Sequence, residues 1–146
     1  MAERHVNVED EYSWALQTAA LVRKKEWHAI DRKALLAELE GSIAGGRRRE
    51  LRSYIRDILR SRLSLKLAPK VDKQYNKDLL RNALEGLESL LWSCPSLREV
   101  VTEEFVDDAY KSVKYIIGKS IRLPMRCPYS PDQLLKEAEA IDVVEL

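Results

Sequence analysis

The sequence predicts an all-α protein, a single-domain bundle of five or six helices over residues 1–146. Apolar residues recur at three- and four-residue spacing along most of the chain. Most of the five glycines and five prolines lie between those periodic segments. No stretch of adequate length alternates as a strand does. The composition, 45% apolar and 34% charged, is that of a globular protein. At 146 residues, the chain is long enough to form a core without disulfides or metal.

Two helices are predicted before the glycine pair Gly45-Gly46, which is expected to break the pattern. The first covers residues 9–25, with Asn7 as its expected N-cap. Its apolar residues at helical spacing are Tyr12, Ala15, Leu16, Ala19, Ala20 and Val22. Asp31 is expected to cap a short second helix. The apolar side of that helix consists of Leu35, Leu36 and Leu39, with Ile43 as a further candidate.

The third helix begins near Arg47 in a stretch that holds six arginines among residues 45–60. Its predicted core face consists of Leu51, Tyr54, Ile55, Ile58 and Leu59. At 100° per residue, an arginine row falls on the opposite side: Arg49, Arg52, Arg56 and Arg60. After Leu59 the pattern shifts, and Leu63 and Leu67 fall on the arginine side. The helix therefore either bends or ends there, or is covered on both sides, and Pro69 ends it.

Three more helices are predicted after Pro69. The fourth covers 73–92, with a face of Tyr75, Leu79, Ala83, Leu87, Leu90, Leu91 and Cys94. A capping box at Ser96 and Glu99 is expected to start the fifth, which ends at Gly118. Its inward residues are Val100, Val101, Phe105, Ala109, Val113, Ile116 and Ile117. After a loop at 121–129, Ser130, Pro131 and Gln133 are expected to start a last helix that runs to about Ala140.

Charge is unevenly distributed, although the net charge is only +1. Residues 45–70 hold nine basic residues against two acidic ones, and the rest of the chain holds sixteen against twenty-two. The arginine row on the basic helix 47–66 therefore has two interpretations. It either binds nucleic-acid phosphates or is a solvated or protein-facing surface. The near-neutral charge, with no helix-turn-helix or aromatic RNA platform evident in the sequence, favours the second.

Enzyme signatures are mostly missing from the sequence: there is no P-loop, G-x-G-x-x-G, H-E-x-x-H or G-x-S-x-G motif. His5 and His28 are the only histidines. The acidic pairs Glu103/Asp107 and Glu104/Asp108 have the i, i+4 spacing that stacks carboxylates on one helix face. A metal- or thiol-dependent enzyme using Glu38, Glu103, Asp107 or Cys127 is therefore one alternative. No cofactor is expected.

Arg62 falls on the apolar side of the third helix, where a long charged side chain is rarely buried without a partner. We therefore expect Arg62 to reach a carboxylate. Glu38 on the short second helix is the favoured partner, because the two helices are adjacent in the chain. Such a pair is more often structural than functional.

Several segments lie in a characteristic order: Y-S-W-A-L-Q-T-A-A-L-V-R at 12–23, I-D-R-K-A-L-L-A-E-L-E at 30–40, R-R-E-L at 48–51, S-C-P-S-L-R at 93–98, A-Y at 109–110 and R-L-P-M-R-C-P-Y-S-P-D-Q-L-L at 122–135. In this order they resemble the bacterial family catalogued as domain of unknown function 29. The resemblance implies an all-helical single domain in a bacterial cytoplasm, and it implies no activity. The chain departs from the family pattern at Ala37, at L-S-L-K-L 63–67 and at Y-N-K 75–77.

The sequence favours a cytoplasmic protein-interaction module that self-associates or binds a protein partner. Trp92, Leu63 and Leu67 motivate this hypothesis, because they lie away from the predicted core faces. The polar, acidic N-terminus is not a secretory signal, and the spacing of Cys94 and Cys127 indicates reduced thiols. No apolar run approaches the roughly 20 residues that span a bilayer, so no membrane partner is expected. Nucleic-acid binding is the first alternative and an enzyme is the second.

Overall fold

The computed structural model describes residues 10–139. Six α-helices and no strand occur among these residues. The helices are α1 (Glu11–Arg23), α2 (Arg32–Leu36), α3 (Gly45–Leu67), α4 (Lys73–Ser93), α5 (Glu103–Ile117) and α6 (Pro131–Glu139). Two 3₁₀ segments, Trp27–Ala29 and Pro95–Val100, and a π-helical segment, Ala37–Ala44, complete the helical structure. The predicted all-α fold with five or six helices is confirmed.

The chain divides into two compact units, Met1–Ala44 and Gly45–Leu146. We call them the N-terminal unit and the C-terminal unit and describe each by itself. That all of residues 1–146 form a single domain stays a prediction.

The N-terminal unit contains α1, α2 and the π-helical segment. Asp10 caps α1, because its Oδ1 accepts a hydrogen bond from the backbone N–H of Ser13 at 2.8 Å. The predicted cap Asn7 lies outside the described residues. Asp31 caps α2 as predicted, since its Oδ1 accepts from the backbone N–H of Ala34 at 3.0 Å. None of residues 10–44 is buried.

Gly45 and Gly46 do not break the helical pattern, and the prediction that they would is wrong. They are the first two residues of α3, and the π-helical segment ends directly before them. A glycine costs a helix only about 1 kcal/mol relative to alanine. A 23-residue helix with one face in a core tolerates that cost. Among the residues that the structure describes, no glycine has a positive φ.

The core lies in the C-terminal unit, where α3 packs against α4 and α5. Of the predicted face of α3, Leu51, Ile55, Ile58 and Leu59 are fully buried and Tyr54 is half-buried. From the other helices the core receives Leu80, Leu84, Leu87, Leu91, Val106, Ala109, Val113, Leu134 and Ala138, among others. The continuous helix α3 also buries Leu63. The alternative that the helix ends after Leu59 is therefore wrong, and coverage on both sides is correct for Leu63 but not for Leu67, which is 43% exposed.

The fifth predicted helix begins later than expected, and the capping box at Ser96 and Glu99 is wrong. Pro95–Val100 forms a 3₁₀ segment instead. Val101 follows with a buried side chain and a non-helical backbone, so the helix cannot run through it. Thr102 caps α5, because its hydroxyl accepts from the backbone N–H of Phe105 at 3.2 Å.

The predicted start of the last helix is confirmed. The backbone N–H of Ser130 donates to Gln133 Oε1 at 2.7 Å, and the backbone N–H of Gln133 donates to Ser130 Oγ at 3.2 Å. Pro131 is the first residue of α6. This reciprocal pair fixes the point at which the preceding loop joins α6, and α6 buries Leu134 and Ala138.

Candidate functional site

The arginine row of α3 mostly contacts other side chains of the C-terminal unit. The Arg52 guanidinium lies 5.4 Å from the centroid of the Phe105 ring, and that of Arg60 lies 5.7 Å from the centroid of Tyr75. The Arg56 guanidinium pairs with Asp57 Oδ1 at 3.2 Å and also donates a hydrogen bond to Ser53 Oγ at 3.2 Å. Arg49 is exposed. The row therefore belongs to a packed surface between α3, α4 and α5, and three of its four cations already have a ring or an acid beside them.

Arg62 reaches a carboxylate, and that carboxylate belongs to Glu137 on α6. Nη2 lies 3.1 Å from Glu137 Oε2, and Nε donates to the same oxygen at 3.2 Å. Both side chains are largely covered, with 28% and 24% of their surface exposed. In the N-terminal unit, Glu38 Oε2 accepts a hydrogen bond from Ser42 Oγ at 3.1 Å. Because Glu38 lies in the other unit, its pairing with Arg62 stays a prediction.

A groove with a volume of about 550 Å³ lies beside α5. One wall is a face of α5 and the other is the loop that leads to α6. The loop is tied to α5 by two hydrogen bonds to its carbonyl oxygens. The Tyr110 hydroxyl donates to Pro124, and Lys114 Nζ donates to Met125 at 3.1 Å. The groove brings together Glu103, Asp107 and Cys127, three of the four residues named for the enzyme alternative.

The chemistry of this groove does not favour a thiolate nucleophile. Burial raises the pKa of the Cys127 thiol, a hydrogen bond with the backbone of Tyr129 lowers it, and the charge of Asp107 raises it again. Burial also raises the pKa of both tyrosine hydroxyls, those of Tyr110 and Tyr129. Reactive cysteines in proteins usually have a lowered pKa and a cation or base beside them. The thiol-enzyme alternative stays a prediction without support from these electrostatics.

Metal ligands do not converge in residues 10–139, where no three His, Cys, Asp or Glu side chains form a group that could hold a metal ion. Asp108, from the second acidic pair, forms an exposed ion pair with Lys111 at 3.5 Å. His28 is exposed in the 3₁₀ segment Trp27–Ala29, and His5 lies outside the described residues. Both cysteines are free thiols.

The N-terminal unit exposes its apolar side chains. The large ones are Tyr12, Leu16, Val22, Trp27, Leu36, Leu39 and Ile43, with exposed fractions between 42% and 75%. The faces that periodicity marks as apolar on the first two predicted helices thus remain accessible. In the same unit, Glu11, Trp14 and Glu38 line an open groove of about 390 Å³.

Of the three residues that motivated the interaction hypothesis, two are exposed. Trp92 is 87% exposed and lines a groove with Leu91, Pro95 and Arg98, while Leu67 is 43% exposed. Leu63 is buried in the core and contributes no surface. No helix in the described range 10–139 is both long and apolar enough to span a bilayer.

A family model described as "Domain of unknown function DUF29" matches residues 8–138. The chain belongs to the DUF29 family. No curated protein and no solved structure matches this DUF29 chain.

Sequence reasoning on the DUF29 chain missed the partners of its charged residues. The local sequence around Arg62 does not identify Glu137 as its partner, although Leu134 and Ala138 mark one face of a short helix and Glu137 lies beside Ala138. The rings beside Arg52 and Arg60 were also missed, because they come from α5 and α4. No local signal in α3 identifies which side chains of other helices will cover it.

Proposed function

We propose that this DUF29 chain is a protein-interaction module that associates with a second copy of itself through the apolar surface of residues 10–44. The observation that carries the proposal is that seven large apolar side chains are exposed there while none of these residues is buried. Contiguous exposed apolar patches on soluble proteins commonly mark interaction sites.

The length of α1 adds support. Helix α1 has 13 residues, and isolated helices shorter than about 12–15 residues are marginal in water. Most of the stability of such helices comes from packing an apolar face against another surface. A partner that covers this face would therefore stabilise the N-terminal unit as well as bind it.

A second copy of the chain is a suitable partner, because a twofold interface brings the same patch of both copies together. Tyr12 and Leu16 lie one turn apart on α1, and both are more than half exposed. Leu39 and Ile43 repeat that spacing in the π-helical segment. Two such rows from each copy would form a small apolar interface with Tyr12 and Trp27, the residue types that contribute most to binding energy.

Analytical ultracentrifugation over a micromolar concentration series tests the proposal. The unsubstituted chain should form dimers. Leu16→Glu should weaken association at least about tenfold, because it removes a leucine that the proposed interface would bury and adds a charge there. Gln17→Glu is the matched control, since it adds the same charge at a polar position of α1 and should leave association unchanged. A chain that stays monomeric up to about 100 μM, which corresponds to a binding free energy of roughly −5.5 kcal/mol, would refute self-association.

We also propose a bacterial cytoplasmic location. Its support is the pair of free thiols, which persist in a reducing compartment, together with the resemblance described above. Thiol labelling of intact cells before and after lysis would test it.

A further inference from the structure

A second surface lies on the C-terminal unit and is independent of residues 10–44. Two adjoining grooves of about 320 and 440 Å³ share Ile116 of α5. Together they form what we call the arginine groove, lined by Arg56, Arg60, Val71, Tyr75, Tyr115 and Ile116. We propose that the arginine groove is a docking site for an acidic amphipathic helix of a partner protein.

The apolar part of the arginine groove is accessible. Val71 is 59% exposed, Tyr75 53%, Tyr115 81% and Ile116 42%. Four large apolar side chains with this exposure next to one another would be costly unless a partner covers them. Aliphatic and aromatic side chains of an amphipathic helix have the chemistry to fill the space between them.

The charges along the groove define the other half of the partner. Three cations, Arg56, Arg60 and Lys111, line it against one described carboxylate, Asp72. Arg56 and Arg60 lie one turn apart on α3, about 6 Å along the helix axis. Two carboxylates one turn apart on a docked helix would have the same spacing, so charge complementarity selects an acidic face.

The existing partners of these cations do not block such a helix. The Arg56–Asp57 pair joins neighbours in sequence, and the Arg56 side chain is still 38% exposed. Lys111 pairs with Asp108 at 3.5 Å, and both of these side chains are at least half exposed. The exposed Lys111–Asp108 pair contributes little, so a partner carboxylate can replace it. The Arg56–Asp57 pair is partly covered, and the exposed part of the Arg56 side chain can be shared with a partner carboxylate. The stacking of Arg60 on Tyr75 holds its guanidinium at the edge of the groove.

These same observations favour a protein helix over a nucleic acid. A base needs an open ring to stack on, but Arg60 already covers Tyr75, and Val71 and Ile116 are aliphatic. Both rings in the lining are exposed, Tyr75 by 53% and Tyr115 by 81%, and the Arg60 guanidinium lies over the ring of Tyr75. Single-stranded DNA is therefore the competing ligand that the experiment must include.

The test uses the full chain and a fluorescein-labelled amphipathic helical peptide with a leucine and phenylalanine stripe and two glutamates one turn apart. Fluorescence anisotropy should show saturable binding. Arg56→Gln should weaken it about fivefold, because a partly exposed charge pair is lost. Tyr115→Ala should weaken it by a similar factor and leaves the core untouched. Arg49→Gln is the matched control, an exposed arginine on the same helix outside the groove, and should bind as the unsubstituted chain does.

Two further ligands decide the interpretation. The same peptide with glutamine in place of both glutamates should bind at least about fivefold more weakly. Equal binding of the two peptides, or no binding of either, would overturn the proposal. Oligothymidine that binds more tightly than the acidic peptide and loses affinity with Arg56→Gln would overturn it in favour of nucleic acid. Equal melting temperatures of all variants would show that the losses do not come from unfolding.

Discussion

The two units of the chain use the same kind of sequence pattern to different ends. In the C-terminal unit, the apolar faces of α3, α4 and α5 are buried against one another, and Leu51, Ile55 and Leu84 have no exposed surface. In the N-terminal unit, α1 also carries apolar residues at helical spacing, yet Tyr12 and Leu16 are more than half exposed. Periodicity therefore identifies a face that can be buried, and the structure determines whether it is.

The largest expected difference between the units concerns leucine-to-alanine substitutions. Leu84→Ala should lower the free energy of unfolding by about 3 kcal/mol, because it removes buried methyl groups and leaves a cavity. Leu16→Ala, at a position that is 53% exposed, should change it by less than about 0.5 kcal/mol. Urea unfolding of both variants, at concentrations below self-association, measures the difference. Equal losses would show that Leu16 is packed as tightly as Leu84, and the distinction between the two units would fail.

Two glycines allow a comparison in which replacement by alanine should change the stability of the chain in different directions. A Cβ at Gly86 of α4 would lie 2.3 Å from Cε1 of the Tyr54 ring, whereas a Cβ at Gly41 would meet nothing within 4 Å. Gly86→Ala should therefore destabilise the chain by about 2 kcal/mol, despite the better helix propensity of alanine. Gly41→Ala should be neutral or stabilising by up to about 1 kcal/mol. Thermal unfolding of the two variants, compared with the unsubstituted chain, measures both changes in stability.

A double substitution isolates the steric cause at Gly86. In a Tyr54→Leu background the ring that opposes the new methyl group is gone, so Gly86→Ala should cost much less there than in the unsubstituted chain. An unchanged cost would mean that the close approach of Tyr54 to Gly86 is not what excludes alanine.

Ion pairing should also distinguish the units, with a smaller effect. Glu137→Gln should lower the free energy of unfolding by about 1 kcal/mol, because it removes the largely covered partner of Arg62. Glu38→Gln, which changes an exposed hydrogen bond with Ser42, should have almost no effect. Denaturation in low and high salt checks both, since the Glu137 effect should shrink as salt rises. A larger loss for Glu38→Gln would favour the predicted Arg62–Glu38 pair instead.

Most of the fold could be predicted from the sequence, because the apolar spacing of α3 matches the face that is buried. The predicted face of α4 is only partly correct, since Tyr75 is 53% exposed while Leu80 and Leu84 are buried instead. The helix starts depended on local chemistry. The box at Ser130 and Gln133 was predicted because its reciprocal hydrogen bonds involve only neighbouring residues. The box at Ser96 and Glu99 failed because the burial of Val101, a tertiary effect, determines the backbone there.

The candidate surfaces were less predictable for the same reason. The arginine row on α3 follows from helical geometry alone, but its neighbours Phe105 and Tyr75 come from other helices. Leu63 has the sequence context of a surface residue, yet it is buried in the core. Identifying the arginine groove therefore required the packing of α3 against α5.

The smallest expected effect is a pH dependence of the free energy of unfolding. It comes from the groove beside α5, which Cys127 lines. Both cysteines of the chain lie in the C-terminal unit, so the N-terminal unit contributes no thiol. Burial raises the pKa of Cys127 from an ordinary value of 9.0. The folded state then keeps its proton at pH values where the unfolded chain has lost it. The contribution of Cys127 to stability is complete below pH 9 and is lost as pH rises through the folded pKa.

In a Cys94→Ala background, the urea midpoint should therefore fall between pH 8 and pH 10.5, and Cys127→Ala should reduce that fall without abolishing it. The remainder belongs to Tyr110 and Tyr129, whose pKa values are also raised by burial. A fall that Cys127→Ala leaves unchanged would show that the thiol is as solvated in the folded chain as in the unfolded one, and the groove would then be more open than its lining indicates.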